Sequence, residues 1–317
     1  MPDEVILAAI GKGISFTSDS EINGMISTYR IGNLNLRLET SRKPFNPLTD
    51  ASFEKFIDPL FSCTDQKSAD RSPVPLLELF EENRELDLDL QDLLLSNDTW
   101  DLLKEPNHGL VFRFKHYQVP VLAISVDSEF RQGKIHRTEI GLESDGISIK
   151  DIIDIRLYLN WLASFGDIVL HASGFVYEGK GYCFLGESGR GKSTLVRDLA
   201  GEPGLTVLGE DQVILRCLDG QFRIFGTPWH SEPEFCSPMD APLEKMFFLD
   251  RTQEETTWKM TPMEVTTRII QTAIVPWYRK ECLPLILERI ALVPEYTRCL
   301  GLSYKLGSDS LDTLLQA

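Results

Sequence analysis

The residues best suited to chemistry lie in one short loop in the second half of the chain. Residues 186–193 read Gly-Glu-Ser-Gly-Arg-Gly-Lys-Ser and fit the phosphate-binding pattern G-x-x-x-x-G-K-[ST] at every specified position. Glycines let such a backbone turn tightly, so that successive N–H groups point inward at phosphate oxygens. We therefore predict that a nucleoside triphosphate is bound by Gly186, Glu187, Ser188, Gly189, Arg190, Gly191, Lys192, Ser193 and Thr194.

Lysine and hydroxyl side chains have separate tasks in a loop of this kind. Lys192 is expected to reach the β- and γ-phosphates, and the Ser193 hydroxyl to ligate Mg²⁺, with Thr194 as a weaker candidate. The apolar run 182–185 before the loop predicts a strand, and residues 193–199 after it predict a helix. This strand, loop and helix order is the context that the motif requires; the alternative is a glycine-rich turn that matches by chance.

A phosphate loop also needs an acidic partner on a neighbouring strand. Glu210 and Asp211 directly follow the apolar run 206–208, as such a partner should. We expect the pair to hold Mg²⁺ and to accept a proton from an attacking hydroxyl. The alternative is a charged turn between two strands.

Two histidines are candidates for the same site. His171 ends an apolar strand that leads through a hairpin to the loop, which favours a position near the γ-phosphate, although a histidine there can also be a core or capping residue. His230 lies in a glycine-proline turn with an aromatic side chain and is a supporting candidate. The other histidines, His108, His116 and His136, are interpreted as surface or sheet residues.

Composition limits the possible partners. The chain has 317 residues, 42% of them hydrophobic, and a formal net charge of −16. An acidic chain without a basic stripe is unsuited to a broad nucleic-acid surface, and no apolar run reaches the length of a membrane span. Six scattered cysteines without a C-x-x-C pair are typical of a reducing compartment. We therefore expect a cytoplasmic protein that binds neither nucleic acid nor membrane.

The pattern of hydrophobic residues divides the chain in two. Residues 22–149 alternate in the manner of strands, with turns at 132–133 and 145–146, so residues 1–150 are predicted to form a mostly β domain for substrate or partner recognition. The acidic, leucine-rich stretch 76–95 is interpreted as a connection or small helical insert with a solvated face; a partner surface is the alternative. A helix over 151–165 is expected to bridge the halves, and residues 151–317 form the predicted nucleotide-binding domain.

The sequence motifs of two other classes of phosphate-loop protein are absent from this chain. The chain contains no Asn-Lys-x-Asp motif of guanine-reading GTPases and no Leu-Ser-Gly-Gly-Gln run of transporter ATPases. The order of His171, the 186–193 loop and Glu210-Asp211 resembles the catalytic domain of HPr kinase/phosphorylase, which has a phosphoenolpyruvate-carboxykinase-like fold. Further similarities to HPr-kinase-related proteins lie at 226–230, 241–243 and 247–249, so that the resemblance covers residues 151–315.

The resemblance implies an α/β fold with a mixed sheet and an ATP- and Mg²⁺-dependent kinase, and the family's precedent is a homo-oligomer. It places Lys192 on the phosphates, Glu210 and Asp211 on the metal and the substrate proton, and His171 beside the transferred phosphate. Two departures matter: Glu210 stands where HPr kinases have aspartate, and their glycine-rich C-terminal loop is not found. HPr itself is therefore not the expected substrate, and phosphorylase activity is unsupported.

The main hypothesis is an ATP-dependent kinase that phosphorylates a hydroxyl of a peptide, a protein or a small molecule. The alternative is a non-catalytic, regulatory ATP-binding module that acts with a partner protein. A decarboxylating carboxykinase is disfavoured, because no dedicated set of oxaloacetate-binding arginine and metal-binding histidine is visible in the sequence.

Overall fold

The computed structural model describes residues 25–41, 50–58, 74–82, 93–104, 109–138, 148–229, 232–250, 256–304 and 310–316. The candidate His230 and the turn predicted at 145–146 lie outside these ranges. No helix in the described ranges has the length and apolar character needed to cross a bilayer.

The first sheet has eight strands, which agrees with the strand pattern of the N-terminal half. Their spatial order is β1-β2-β3-β8-β7-β6-β5-β4, with parallel pairing of β3 to β2 and β8 and antiparallel pairing elsewhere. The strands are β1 (Met25–Ile31), β2 (Leu34–Thr40), β3 (Leu76–Glu82), β4 (Leu93–Ser96), β5 (Trp100–Lys104), β6 (Leu110–His116), β7 (Val119–Val126) and β8 (Gln132–Arg137).

Strand β3 corrects one prediction, because the acidic stretch beginning at residue 76 is not helical over 76–82. Leu77 and Leu79 are fully buried on one face of the sheet. The glutamates between and after them pair with basic residues of flanking strands: Arg37 with Glu78 at 2.7 Å, Arg137 with Glu81 at 2.5 Å and Lys134 with Glu82 at 3.1 Å. The acidic residues are therefore used in cross-strand ion pairs.

The turn predicted at 132–133 is also wrong, since both residues belong to β8. A Cβ atom at Gly133 would lie 2.2 Å from the carbonyl oxygen of Ser125 on the neighbouring strand. Glycine is required there because a neighbouring backbone approaches closely within the sheet, and no turn is formed.

The second sheet has nine strands, and the phosphate loop directly follows one of them. Its main path is β10-β9-β12-β13-β14-β17-β15, and β11 and β16 also pair with β9. The strands are β9 (Ile168–Tyr177), β10 (Lys180–Leu185), β11 (Leu205–Gly209), β12 (Gln212–Leu218), β13 (Gln221–Phe225), β14 (Asp240–Asp250), β15 (Thr256–Lys259), β16 (Ala273–Ile274) and β17 (Arg298–Ser303). The predicted α/β class with mixed sheets is thus observed, while the phosphoenolpyruvate-carboxykinase-like fold stays a prediction.

Seven helices are described alongside the sheets. They are α1 (Ala51–Glu54), α2 (Ile149–Ile152), α3 (Ile155–Ala163), α4 (Lys192–Leu199), α5 (Pro262–Thr272), α6 (Leu283–Tyr296) and α7 (Ser310–Gln316). The predicted helix at 151–165 is in fact two, because Ile153 leaves the helical conformation and the Asp154 carboxylate then caps α3 by accepting from the Arg156 N–H at 2.7 Å.

Helix α3 packs between the two sheets, as its predicted bridging role requires. Tyr158 and Trp161 are buried in a hydrophobic cluster that also contains Phe112 of the first sheet and Val169 and Phe225 of the second. This cluster runs across the predicted boundary near residue 150, so the division into domains 1–150 and 151–317 stays a prediction.

Strand β9 borders the candidate site. Along its length it pairs with different strands on each of its two edges. On one edge it pairs with β12 near Ile168–His171 and with β11 near Gly174–Tyr177. The β11 register is irregular between Val207 and Gly209, and the Asp211 carbonyl oxygen accepts a hydrogen bond from the Ala172 N–H at 3.0 Å. On the other edge β9 forms the hairpin with β10 that leads into the phosphate loop.

A buried ion pair joins the two sheets. Arg216 of β12 donates to the Asp167 carboxylate at 2.7 Å and to the carbonyl oxygen of Gly32, in the β1–β2 turn, at 2.5 Å. The side chains of Arg216 and Asp167 are only 3% and 2% exposed. Burial raises the pKa of Asp167, and the Arg216 charge opposes that rise. The pair therefore depends on both partners being present.

We predict that Arg216→Met lowers the free energy of unfolding by about 3–5 kcal/mol, because it leaves Asp167 buried without its counter-charge. The matched control is Arg223→Met on adjacent strand β13, whose pair with Asp240 is 28% and 35% exposed and whose loss costs about 1 kcal/mol or less. Urea unfolding of both variants measures the difference. Equal losses would show that Arg216 has no special role in joining the sheets.

Candidate phosphate-transfer site

The phosphate loop connects the end of β10 to the start of α4, which is the predicted context. Gly189 and Gly191 have φ values of +77° and +97°, a left-handed conformation that glycine adopts without strain. A Cβ at either position would meet no atom within 4 Å, so backbone conformation is the reason for these two glycines. Gly191 is the N-cap of α4, and its carbonyl oxygen accepts the first helical hydrogen bond, from the Leu195 N–H at 2.9 Å.

The first turn of α4 therefore presents backbone N–H groups that have no partner within the helix. The positive end of the helix dipole adds to their attraction for an anion. Lys192 begins this turn, Ser193 is half-buried in it and Thr194 is exposed on it. The three predicted ligands of phosphate and metal thus share one end of one helix.

Lys192 is buried, and its ammonium group contacts three acceptors. It donates to the carbonyl oxygens of Gly186 at 2.9 Å and Glu187 at 3.3 Å, and its Nζ lies 3.3 Å from Nε2 of His171. Burial lowers the pKa of Lys192, and the negative charge of Asp211 opposes that shift. An ammonium has three hydrogens, so a phosphate oxygen that binds Lys192 would have to replace one of these contacts.

His171 lies between Lys192 and Asp211. Its Nδ1 is 3.2 Å from Oδ1 of Asp211, and its Nε2 faces the Lys192 ammonium. A carboxylate only accepts and an ammonium only donates, so these partners fit the neutral tautomer with the proton on Nδ1. The imidazole orients the carboxylate on one side and the lysine on the other. Of the predicted site residues, the structure brings Lys192, His171 and Asp211 into one chain of contacts.

The Ser193 hydroxyl fits the role of a metal ligand. It donates its proton to the carbonyl oxygen of Glu210 at 3.0 Å, which leaves lone pairs on the same oxygen for a cation. The Asp211 carboxylate is about one-third exposed at the same place. Mg²⁺ in phosphate sites commonly takes one or two protein oxygens together with phosphate and water. In the described ranges no cluster of three or more His, Cys, Asp or Glu side chains could hold a metal by itself.

Glu210 has a different environment from Asp211, although the two are adjacent. Its carboxylate is buried and pairs with Arg197 of α4 at 2.6 Å, and it also accepts from the Glu232 N–H at 3.3 Å. Arg197 in turn contacts Glu232 at 3.1 Å and lies over the ring of Phe235. The Glu210 carboxylate thus holds the phosphate-loop helix against residues 232–235. The role in metal or proton binding expected for Glu210 from the sequence stays a prediction.

Asp250 was missed by the sequence analysis. It ends strand β14, which is parallel to β10, and lies 3.6 Å from Arg190 of the phosphate loop and 3.2 Å from Arg268 of α5. Arg190 also pairs with Glu187 at 2.6 Å. The charged side chains at the unspecified positions of the loop motif therefore form ion pairs with each other. The signal in the sequence was an acidic residue directly after the apolar run 246–249.

Comparisons with known proteins leave the family open. No protein-family model matches the sequence, and no curated protein matches it. Among solved structures, the chain is similar to the HPr(Ser) kinase/phosphatase from Coxiella burnetii, with 12% identity, coverage of 47% of this chain and 93% of that chain, and a TM-score of 0.25. A likeness with this TM-score carries no argument about the family or the function, so the function has to be inferred from the geometry of the site.

Proposed function

We propose that this chain is an ATP- and Mg²⁺-dependent phosphotransferase that moves the γ-phosphate to a hydroxyl of a peptide, a protein or a small molecule. The observation that supports it most is the contact chain from Lys192 through His171 to Asp211 at the start of α4. The phosphate-loop pattern and the α4 N-terminus supply the site for the triphosphate, and the HPr-kinase-like fold expected from the sequence is part of the same proposal.

Each residue has a stated task in this proposal, and Asp211 has two. The backbone N–H groups of residues 186–194 and the Lys192 ammonium bind the β- and γ-phosphates and offset their charge. Ser193 and Asp211 hold Mg²⁺, which neutralises charge on the phosphate oxygens when bound. Asp211 accepts the proton of the acceptor hydroxyl as the new bond from oxygen to the γ-phosphorus forms and the bond to the ADP oxygen breaks. His171 fixes the direction of the Asp211 carboxylate through Nδ1.

Glu210 is a positioning residue in this proposal, unlike the role expected from the sequence. Its carboxylate is committed to Arg197 and to the Glu232 backbone. Its carbonyl oxygen accepts from Ser193. It acts on the phosphates only through the placement of α4, and Asp211 alone of the acidic pair serves metal and proton.

We expect Lys192→Met to reduce phosphate transfer from ATP at least about a hundredfold, because the transferring oxygens lose their main cation. Transfer is measured with γ-labelled ATP and a library of serine-containing peptides, with label in peptide and label released to water counted separately. Lys180→Met is the control, since Lys180 is exposed on β10 and pairs with Glu244 at 3.2 Å away from the loop. Full activity of Lys192→Met would overturn the site assignment.

The base assignment predicts a different change for Asp211→Asn. The amide keeps the size of the side chain and can still accept from Nδ1 of His171, but it cannot take up a proton. We expect kcat to fall by about 10²–10⁴. Asp198→Asn, an exposed change on α4, should leave kcat as it is. Titration calorimetry with a non-hydrolysable ATP analogue shows whether Asp211→Asn still binds nucleotide. Binding in the wild type with neither transfer nor hydrolysis would favour the regulatory module.

Glu210 and Arg197 should behave as a coupled pair. Arg197→Met leaves a buried carboxylate without its partner, and we expect the free energy of unfolding to fall. Adding Glu210→Gln should then cost less than Glu210→Gln costs alone, because the two side chains interact directly.

The dependence of phosphate transfer on Mg²⁺ concentration distinguishes a positioning role of Glu210 from a metal-binding role. If Glu210 acts through α4, the Mg²⁺ concentration at half-maximal transfer is the same for Glu210→Gln and the wild type, even where the maximal rate falls. A clear rise in that concentration would return Glu210 to the metal-binding set.

A further inference from the structure

A cavity of about 460 Å³ opens at the outer edge of the second sheet, where β15 ends the main strand path. It lies beyond the last pair of the β15–β17 ladder, Lys259 with Leu300. The chain that leaves β15 toward α5 forms one side, and the chain that enters β17 from the end of α6 forms the other. Cavities that hold small molecules in proteins have volumes of about 300–1,000 Å³.

The cavity is remote from the proposed transfer site. In the register of the parallel strands β14 and β17, Ser303 is opposite Asp250, which contacts Arg190 of the phosphate loop. Arg298, which lines the cavity, begins β17 and is opposite Lys245. At about 3.3 Å per residue, the two ends of β17 are roughly 16 Å apart. A ligand in the cavity would therefore occupy a second site of the molecule.

One part of the cavity wall is apolar. The half-buried Trp258 lies against Gly301 of β17, where a Cβ atom would be only 2.0 Å from the indole ring. Glycine at position 301 thus makes room for the indole. Met260, Val265 and Pro294 add aliphatic surface to the same wall. Such a wall suits the apolar body of a small ligand.

The other part of the wall carries positive charge without a counter-charge. Lys259 and Arg298 both line the cavity, are exposed and form no ion pair with any carboxylate in the described ranges. Most described arginines of this acidic chain do form such a pair. Thr297 also lines the cavity, is 7% exposed, and its hydroxyl has no hydrogen-bond partner among the residues described.

Neighbouring groups leave this positive charge in place. Burial lowers the pKa of Lys245, and the charge of Arg298 lowers it further, while Glu244 opposes the shift. Glu264, in the first turn of α5, accepts from the Thr261 N–H and hydroxyl at 2.8 Å each and so caps that helix. The charge of Arg298 is thus felt by a second cation, and the nearby helix-capping carboxylate is used elsewhere.

We propose that this cavity binds a small organic anion, with its carboxylate or phosphate group on Arg298 and Lys259 and its apolar body against the Trp258 indole. The planar guanidinium of arginine can donate two parallel hydrogen bonds to either group, and the lysine ammonium adds a mobile charge. The site is independent of the proposed phosphate transfer, because none of its residues takes part in that reaction.

Titration calorimetry tests the anionic group on the full chain with Mg²⁺ and a non-hydrolysable ATP analogue bound. The probes are phenylacetate, phenyl phosphate, the neutral phenylacetamide and inorganic phosphate. We expect at least one of the two aromatic anions to bind about tenfold more tightly than the amide, less so at high salt, and the tighter one identifies the group. Equal affinity of anions and amide, or no binding of any probe, overturns the proposal. Inorganic phosphate that binds as tightly as the aromatic anions shows an adventitious ion only and also overturns it.

Two variants test the assignment to Arg298. Arg298→Met should remove the preference for the anion over the amide. Lys280→Met, an exposed change before the start of α6, at the other end of this helix from the cavity, should keep that preference. Unchanged affinity for the ATP analogue shows that both variants are folded. A preference that survives in Arg298→Met contradicts the proposal.

The position of the probe is tested by NMR of the indole N–H groups. The chain has five tryptophans, and the aromatic anion should shift the signal that is missing from Trp258→Phe. A shift confined to another indole places the probe elsewhere and overturns the proposal.

Competition separates this site from the phosphate loop. The aromatic anion should bind equally well with and without the ATP analogue, and also to Lys192→Met. Binding that the analogue displaces would place the probe in the phosphate loop and leave the cavity without its ligand. Loss of phosphate transfer in Lys192→Met with intact anion binding is the result expected when both sites exist.

Discussion

The geometry of the site depends on two hydrogen bonds that the carbonyl oxygen of Glu210 accepts. It accepts from the Ser173 hydroxyl of β9 at 2.5 Å and from the Ser193 hydroxyl of α4 at 3.0 Å. The carboxylate of the same residue holds α4 a second time, through Arg197. Glu210 therefore connects the phosphate-loop helix to β9, in addition to the contact of Lys192 with His171. The neighbouring Asp211 lies with it in the two-residue link between β11 and β12. Catalysis by positioning requires such a rigid junction.

The sequence could predict the elements whose cause is local. The phosphate loop is a contiguous pattern whose glycines act through their own φ values, so its place between β10 and α4 follows from residues 182–199 alone. The strand at 205–209 likewise follows from an apolar run, whereas β9 continues to Tyr177, so that His171 lies within this strand and not at its end as expected. The proximity of His171 to the loop followed from a hairpin of short reach.

Features that depend on distant partners were not predictable in this way. The glutamates of β3 resemble a solvated helix face until Arg37, Arg137 and Lys134 are known to lie on adjacent strands. Gly133 resembles a turn residue until the neighbouring backbone is in view. The two acidic residues at 210 and 211 are equivalent in sequence, and only their surroundings separate a buried carboxylate paired with arginine from a partly exposed one held by histidine.

The arrangement of Lys192 bears on the choice between an enzyme and a regulatory module. A module that only senses nucleotide requires the loop, the helix end and the lysine, all of which act on phosphate directly. The Asp211 carboxylate, which contacts His171 at the same end of the site, would repel the phosphates in the absence of a cation. Asp211 becomes favourable only when a cation or an acceptor proton is present to be bound. A module that binds Mg²⁺ with its nucleotide would use the carboxylate for the metal alone, whereas the proposed transfer also uses it for the acceptor proton.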